Sequence, residues 1–160
     1  MLTLSIDPSV GGNAIAIWHD AKLIDARWVA PRKATAHKTL DSVEPVVALC
    51  ASVKFAEVVI EKPQVYATGL HKGDQNDLIT LGIVVGALTA SLAPYADKVT
   101  HVRAWSWKGQ VTKKVTETRC RKRLDASEID AIDLPKNAKH RTDVWDAVGI
   151  GLWRWREVTR

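Results

Sequence analysis

The sequence predicts an α/β fold in which helices cover a single mixed sheet. Three short strand-like segments with turn-length connections come first, and later strands alternate with helical segments. Turn-length connections join antiparallel strands, whereas helical connections are typical of parallel strands. The chain has 160 residues and no stretch that resembles a long linker, so we expect one domain over residues 1–160.

The first part of the predicted sheet is a meander of three strands. Alternating apolar residues predict a first strand over residues 2–6, which should end near Asp7 because Pro8 cannot donate a hydrogen bond to a ladder. Gly11, Gly12 and Asn13 predict a tight turn after this strand. The second and third strands are predicted over residues 14–18 and 23–29.

Helices and strands alternate in the rest of the chain. Apolar residues at helical spacing predict a helix over residues 39–54 and a longer helix from Asp77 to Leu92. Short apolar runs predict strands over residues 57–60 and 99–104, and Glu61 directly follows the first of these strands. The remaining segments are predicted as a mostly helical stretch over residues 108–124, a loop over 134–140 and a helix over 142–157.

The composition excludes several classes of protein. Charged residues make up 26% of the chain and apolar residues 46%, which is typical of a folded globular domain. No uninterrupted apolar run reaches the roughly 18 residues of a membrane span, and the N-terminus lacks the basic region of a signal peptide. Cys50 and Cys120 form no C-x-x-C pair, so we expect neither a disulfide framework nor a zinc site, and a reducing cytoplasm.

Positive charge is concentrated in the second half of the sequence. The net charge is +5, but residues 1–96 hold 8 basic and 9 acidic side chains, whereas residues 97–160 hold 15 basic and 9 acidic ones. Between Lys98 and Arg123 there are nine basic residues and one acid, Glu117. This asymmetry is compatible with a nucleic-acid partner, although many basic domains bind no polyanion.

Four acidic residues occupy positions where a carboxylate is unusual. Asp7 and Glu61 end apolar strands, and Asp143 and Asp146 lie three residues apart on the last helix, just after the plausible N-cap Thr142. Adjacent parallel strands end at one edge of a sheet, and a helix packed there can bring its first turn to both. Each acid alone has an ordinary alternative, such as a turn, an ion pair, a cap or a solvated position. The last of them, however, lies within VWDAVGIGLW, where an unpaired charge is costly.

A cluster of these carboxylates would favour a divalent metal site. Like charges raise each other's pKa values, and a cation relieves the repulsion. Hard oxygen ligands suit Mg²⁺ or Mn²⁺. Two such ions about 4 Å apart can hold the attacking water and the leaving oxygen of a phosphodiester in line.

The acids lie in three segments of the chain, LSIDPSVGGNAIAIW, VVIEKPQVY and HRTDVWDAVGIGLW. These segments resemble the RuvC family of Holliday-junction resolvases in the RNase H-like superfamily, and its phage-borne members most. The resemblance runs from Leu2 to Trp153 and includes the order of the acids. The chain departs from the family pattern at Ser9, where glycine is usual, and at Lys62-Pro63.

The resemblance implies an RNase H-like mixed sheet with helices on both faces. It also implies a homodimeric Mg²⁺-dependent endonuclease that nicks four-way DNA junctions symmetrically, with Mn²⁺ able to substitute and two ions in each site. Asp7, Glu61, Asp143 and Asp146 would then be the catalytic metal ligands. We accordingly expect a cytoplasmic protein of a bacterium or a phage-infected cell.

The resemblance also suggests which residues bind DNA. Tyr66 matches an aromatic residue that reaches towards the junction's bases, with packing on its own loop as an equal alternative. Lys108, Lys113 and Lys114 follow the fifth strand as the family's active-site lysines do. Either of the last two could stabilise charge at the scissile phosphate, and Lys114 is included among the catalytic candidates. Further phosphate contacts are predicted at His71, Lys72, Arg119, Arg121, Lys122 and Arg123. A solubilising surface is the alternative for these charges, and His140 is predicted as a loop residue.

The helix from Asp77 to Leu92 is the predicted dimer contact. Gly82 and Gly86 would allow another helix to approach closely, although packing on the chain's own sheet would also need small residues. Three other functions stay open: an RNase H-like nuclease that acts on structured RNA, a non-catalytic branched-DNA-binding protein, and a fragment of an actin-like sugar kinase. The last would need a longer chain for its two lobes.

Overall fold

The computed structural model describes residues 1–32, 37–64, 75–109, 111 and 113–157. The strands are β1 (Leu2–Ser9), β2 (Gly12–His19), β3 (Lys22–Val29), β4 (Glu57–Lys62), β5 (Val99–Arg103) and β6 (Ile132–Asp133). The α-helices are α1 (Lys38–Cys50), α2 (Gln75–Leu92), α3 (Ala104–Lys108), α4 (Lys113–Arg121), α5 (Ala126–Asp130) and α6 (Ala138–Glu157).

The strands form one sheet in the order β5-β4-β1-β2-β3-β6. The first three strands pair antiparallel, as the turn-length connections predict. β4 pairs parallel with β1, β5 pairs parallel with β4, and β6 pairs parallel with β3. The predicted mixed sheet is therefore confirmed.

Helices lie on both faces of the sheet because successive side chains of a strand point to opposite faces. Leu4 and Ile6 of β1 pack in one core with residues of α1 and α2, such as Val46 and Leu88. The opposite face carries Ala14, Ala16 and Trp18 of β2, which form a second core with α4 and α6. The structure thus has helices on both faces of a mixed sheet, as expected from the sequence.

β1 continues beyond the predicted end. It pairs with β2 as far as Ser9, whereas its pairing with β4 ends at Ile6 opposite Ile60. Pro8 therefore lies where the strand has a single neighbour, and a missing N–H is tolerated at such an edge. Asp7 thus lies inside a strand rather than after it.

Two helix boundaries differ from the prediction. α1 ends at Cys50, four residues early, and α6 begins at Ala138, four residues early. Thr142 is therefore not the N-cap, because the Asn137 side chain instead accepts a 2.9 Å hydrogen bond from the backbone N–H of Lys139. His140 lies on this helix and not in a loop.

The basic stretch is interrupted, and three elements in this part of the chain were not predicted. Gly109 has φ +65°, a conformation that ends α3 after five residues. α5 begins with a capping box in which the side chains of Asp125 and Glu128 accept each other's backbone N–H at 2.9 Å. The other oxygen of Glu128 accepts a hydrogen bond from Leu23 N, which joins α5 to β3, and β6 follows at the sheet edge.

Candidate active site

Asp7 and Glu61 lie side by side at the carboxyl ends of two adjacent parallel strands. Each lies one residue beyond the end of the pairing between β1 and β4, where Ile6 is opposite Ile60. Both side chains are partly exposed and line a cavity of about 190 Å³, whose far wall is formed by Leu78 of α2. Ligands of open α/β sheets bind at such an edge.

α3 brings a tryptophan and a lysine to this edge. β5 pairs with β4 so that Val102 lies opposite Glu61, and α3 begins two residues later. The Trp107 indole Nε1 donates a 2.6 Å hydrogen bond to Glu61 Oε2. The Lys108 ammonium donates a 2.9 Å hydrogen bond to Asp146 Oδ2. Consecutive residues of one short helix thus contact two of the four predicted acids.

α6 carries the other two acids against the sheet. Asp143 is 5% exposed and Asp146 is 1% exposed, which is unusual for carboxylates. The Ser5 hydroxyl of β1 donates a 2.8 Å hydrogen bond to the carbonyl oxygen of Ala147. This bond fixes α6 across β1, two residues from Asp7.

Two glycines of α6 allow this close packing. A Cβ atom at Gly149 would lie 2.5 Å from Cζ3 of Trp107, and a Cβ atom at Gly151 would overlap with the Trp18 indole. The indole N–H of Trp18 donates in turn to the Ser5 hydroxyl at 3.1 Å. The G-I-G sequence after Asp146 is therefore required by the tryptophans that pack against α6.

The Lys108 side chain is the positive charge among these acids, and it is only 15% exposed. Burial alone would lower the pKa of Lys108, but the nearby carboxylates of Glu61, Asp146 and Asp7 raise it above its ordinary value. The ammonium also lies 4.7 Å from the centroid of the Trp107 ring. Three of the predicted acids therefore act electrostatically on one cation.

Asp143 has a histidine beside it. The His140 ring stacks on Trp28 with a centroid distance of 3.9 Å and an interplanar angle of 16°. Its Nδ1 lies 3.8 Å from Asp143 Oδ2, beyond hydrogen-bond distance. This stack fixes the ring next to the acid.

The donor chemistry of the four acids fits a hard divalent cation. Within the part of the chain that the structure describes, no group of three His, Cys, Asp or Glu side chains is arranged to hold a metal ion. The Lys108 ammonium provides the compensating charge instead, because it bonds Asp146 and is stabilised by Glu61 and Asp7. Lys108 is thus the cation of this site as the structure has it, and the four acids fit a divalent ion by their charge and ligand type but not by their present arrangement.

The predicted DNA-binding residues have different positions. Tyr66, His71 and Lys72 and the side chain of Lys113 lie outside the described residues. Arg121 bonds Glu117 at 2.9 Å and lies over the Trp145 ring. The remaining cations of this group are exposed on or just after α4: Lys114, Arg119, Lys122 and Arg123. Lys108 lies in the candidate site rather than on the basic surface.

Sequence reasoning missed two residues of the site. Trp107 is one of them, because a lone tryptophan in a sequence carries no signal for a carboxylate partner. Ser5 is a buried polar residue in the apolar run LTLSI, and that interruption was the available signal for a buried hydrogen bond.

The outer face of α2 is apolar and exposed. Ile79 is 64% exposed and Ile83 is 56% exposed, and among the described residues Cβ atoms at Gly82 and Gly86 would meet nothing within 4 Å. The glycines therefore do not serve packing on the chain's own sheet.

By length and composition alone, the segment Asn76–Tyr95 could span a membrane, with a mean hydropathy of 1.8, although Thr80 and Thr89 interrupt its apolar run.

Comparisons with known proteins support the fold. No family model and no curated protein sequence matches the chain. Among solved structures, RuvC of T. thermophilus in complex with a Holliday junction substrate superposes with a TM-score of 0.67, at 14% identity over 99% of this chain and 96% of RuvC. A second structure of Thermus thermophilus RuvC superposes with a TM-score of 0.60, at 15% identity over 99% of this chain and 96% of RuvC. The yeast mitochondrial Holliday junction resolvase Ydc2 superposes with a TM-score of 0.56, at 12% identity over 97% of this chain and 80% of Ydc2. The chain has the RuvC-like fold, as predicted.

Proposed function

We propose that this protein is a divalent-metal-dependent endonuclease that nicks Holliday junctions and other branched DNA by hydrolysis. The observation that carries the proposal is the pair Asp7 and Glu61, each one residue beyond the end of the pairing of two adjacent parallel strands, with Asp146 connected to them through Lys108. The similarity to RuvC bound to a Holliday junction substrate supports branched DNA as the substrate. The phage-type assignment and a cytoplasmic location are part of the proposal.

The four acids would hold the metal. A divalent cation bound by Asp7, Glu61, Asp143 and Asp146 would activate water and stabilise the charge of the phosphodiester during hydrolysis. Asp143 and Asp146 are held rigidly by the packing of α6, whereas the other two acids face the cavity. Lys108 bonds the buried Asp146 carboxylate in the metal-free protein, and its positive charge would assist a phosphate bound at this edge of the sheet.

Basic side chains would bind the DNA backbone. Lys114, Arg119, Lys122 and Arg123 are exposed cations, and such contacts add affinity that falls with salt concentration. Arg121 is engaged with Glu117 and would contribute less. Tyr66, His71, Lys72 and Lys113 complete the proposed DNA-binding set, with Tyr66 able to stack on a base.

A homodimer would allow one strand to be cut by each subunit. The exposed apolar face of α2, which runs through Ile79 and Ile83, offers a self-complementary surface. The open space at Gly82 and Gly86 would let a second copy of α2 approach closely. Symmetric nicking of a four-way junction would follow from this two-fold arrangement.

The experiment that tests the proposal separates cleavage from binding. Asp146→Asn removes a buried charge at the site, and Asp130→Asn makes the same change at an exposed residue of α5. We expect Asp146→Asn to abolish cleavage of a labelled four-way junction in Mg²⁺ and to retain junction binding in a gel-shift assay. Asp130→Asn should cleave as the unmodified protein does. Undiminished cleavage by folded Asp146→Asn would contradict the proposed site.

A further inference from the structure

The geometry points to Trp107 as a positioning residue that restrains the Glu61 carboxylate at the edge of the sheet and thereby favours the binding of a divalent cation there. This inference rests on the proposed function, in which Glu61 is a metal ligand. The indole Nε1 lies 2.6 Å from Glu61 Oε2, which is a short distance for a hydrogen bond to a carboxylate. The bond joins α3 to the carboxyl end of β4.

The chemistry of the indole suits this role. An indole N–H donates a hydrogen bond and accepts none, and it is neutral, so it does not cancel the charge of the carboxylate. Lys108 differs in this respect, because its ammonium places a full positive charge on Asp146. Trp107 thus restrains one oxygen of Glu61 without itself cancelling the negative charge that a metal would need. Partners of this kind orient metal ligands in many proteins.

Packing fixes Trp107 itself. The ring is half-buried against a small cluster formed by Val59 of β4, Val102 of β5 and Ile150 of α6. A Cβ atom at Gly149 would lie 2.5 Å from the ring, so the glycine leaves room for the indole. The side chain is therefore held by three elements of the fold before any ligand binds.

Trp153 provides a matched control. It packs against the same cluster, and its Nε1 is buried without a hydrogen-bond partner among the described residues. Trp153→Phe and Trp107→Phe thus remove the same atoms from one cluster, but only the second removes a donor to a carboxylate. A role in packing alone predicts similar effects for the two variants.

Metal affinity separates the two roles. Mn²⁺ would be titrated calorimetrically into the full chain, into both variants and into Glu61→Gln, with folding checked by circular dichroism. We expect Trp107→Phe to weaken Mn²⁺ binding by about 10- to 100-fold, the usual effect of losing such a partner, and Trp153→Phe to leave it nearly unchanged. Equal affinities of Trp107→Phe and Trp153→Phe would overturn the inference. If the unmodified protein binds no Mn²⁺, or if Glu61→Gln binds it equally well, the proposed function fails instead.

A measurement on the unmodified sequence covers the case in which Trp107→Phe does not fold. Each tryptophan gives one indole N–H signal in a ¹H–¹⁵N NMR spectrum, and through-bond assignment identifies that of Trp107. Mg²⁺ should shift this signal and leave that of the exposed Trp105 in place. A Trp107 signal that stays unmoved while Mg²⁺ binds would also overturn the inference.

Discussion

The Ser5 hydroxyl donates a 2.8 Å hydrogen bond to the carbonyl oxygen of Ala147, and this bond joins the strand that carries Asp7 to the helix that carries Asp146. The same hydroxyl accepts a hydrogen bond from the indole of Trp18. Because Ser5 is fully buried, water cannot replace the hydroxyl as hydrogen-bond partner of the Ala147 carbonyl or of the Trp18 indole. One serine outside the group of acids therefore joins the two elements that carry them.

Replacement of Ser5 tests this connection. Ser5→Ala leaves a buried carbonyl and a buried indole N–H without this partner, and we expect the free energy of unfolding to fall by about 2 kcal/mol. Urea denaturation measures the change. Ser127→Ala removes an exposed hydroxyl that is bonded to Asp125, and it should lower the free energy of unfolding by less than about 0.5 kcal/mol. Equal stability of Ser5→Ala and the unmodified protein would show that the bond is unimportant.

Lys108 should stabilise the metal-free protein. Lys108→Met keeps most of the apolar stem but leaves Asp146, with the nearby Glu61 and Asp7, without the ammonium charge, so we expect a loss of about 3 kcal/mol in EDTA. Mg²⁺ should raise the melting temperature of this variant more than that of the unmodified protein, because no ammonium competes for the carboxylates. Differential scanning fluorimetry measures both effects, with the exposed Lys136→Met as control. Identical melting temperatures in EDTA would refute this account.

Arg154 should stabilise the far end of β4 in a pH-dependent way. Its guanidinium lies 2.6 Å from the buried Glu57 carboxylate. Burial raises the pKa of Glu57, but hydrogen bonds from Thr100 and Arg154 outweigh this effect and hold the pKa below its ordinary 4.5. A lowered pKa in the folded state means that the stabilisation is present above pH 4.5 and is lost as the pH falls through the folded-state value.

The variant Arg154→Ala should therefore lose about 2 kcal/mol of stability at pH 7, and the difference should shrink at acidic pH. Chemical denaturation at several pH values measures it. Arg27→Ala breaks an exposed pair with Asp25 and should cost about 0.5 kcal/mol or less. A loss for Arg154→Ala that does not change between pH 7 and pH 3 would contradict the assignment to Glu57.

The face of α2 should determine the oligomeric state. Ile83→Lys places a charge in the exposed apolar stripe, and we expect it to convert a dimer to a monomer in light scattering coupled to size exclusion. Leu49→Lys changes an apolar residue of α1 that is 46% exposed and should leave the dimer intact. A monomeric unmodified protein at all concentrations would contradict the dimer. Binding of the unmodified protein to lipid vesicles would point to a membrane role for α2 instead.

Much of the fold could be predicted because its determinants are local. The three antiparallel strands follow from alternating apolar residues and short turns, and the adjacency of Asp7 and Glu61 follows from parallel strands that end at one edge. The predicted end of β1 was wrong. Pro8 ends a strand only where its missing N–H would have to pair with a neighbouring strand, and at Pro8 β1 pairs with β2 but no longer with β4. The capping box of Asp125 and Glu128 is a local signal for α5 that the sequence interpretation did not use.

The contacts of Trp107 and Lys108 could not be predicted, because they depend on tertiary packing. Spacing along the chain shows neither that α3 follows β5 closely nor that Gly109 ends it after five residues. The contact of Trp107 with Glu61 joins residues 46 positions apart, and that of Lys108 with Asp146 joins residues 38 apart. The assignment of the four acids as metal ligands stays a prediction.

Mapping of strand breaks would show whether the cluster of acids cuts branched DNA. The purified protein would be incubated with an immobile four-way junction and with a linear duplex of matched sequence, with and without Mg²⁺. The account predicts paired nicks across the junction that require Mg²⁺ and are absent from the linear duplex. Junction binding without cleavage in both Mg²⁺ and Mn²⁺, or cleavage of folded RNA alone, would contradict it.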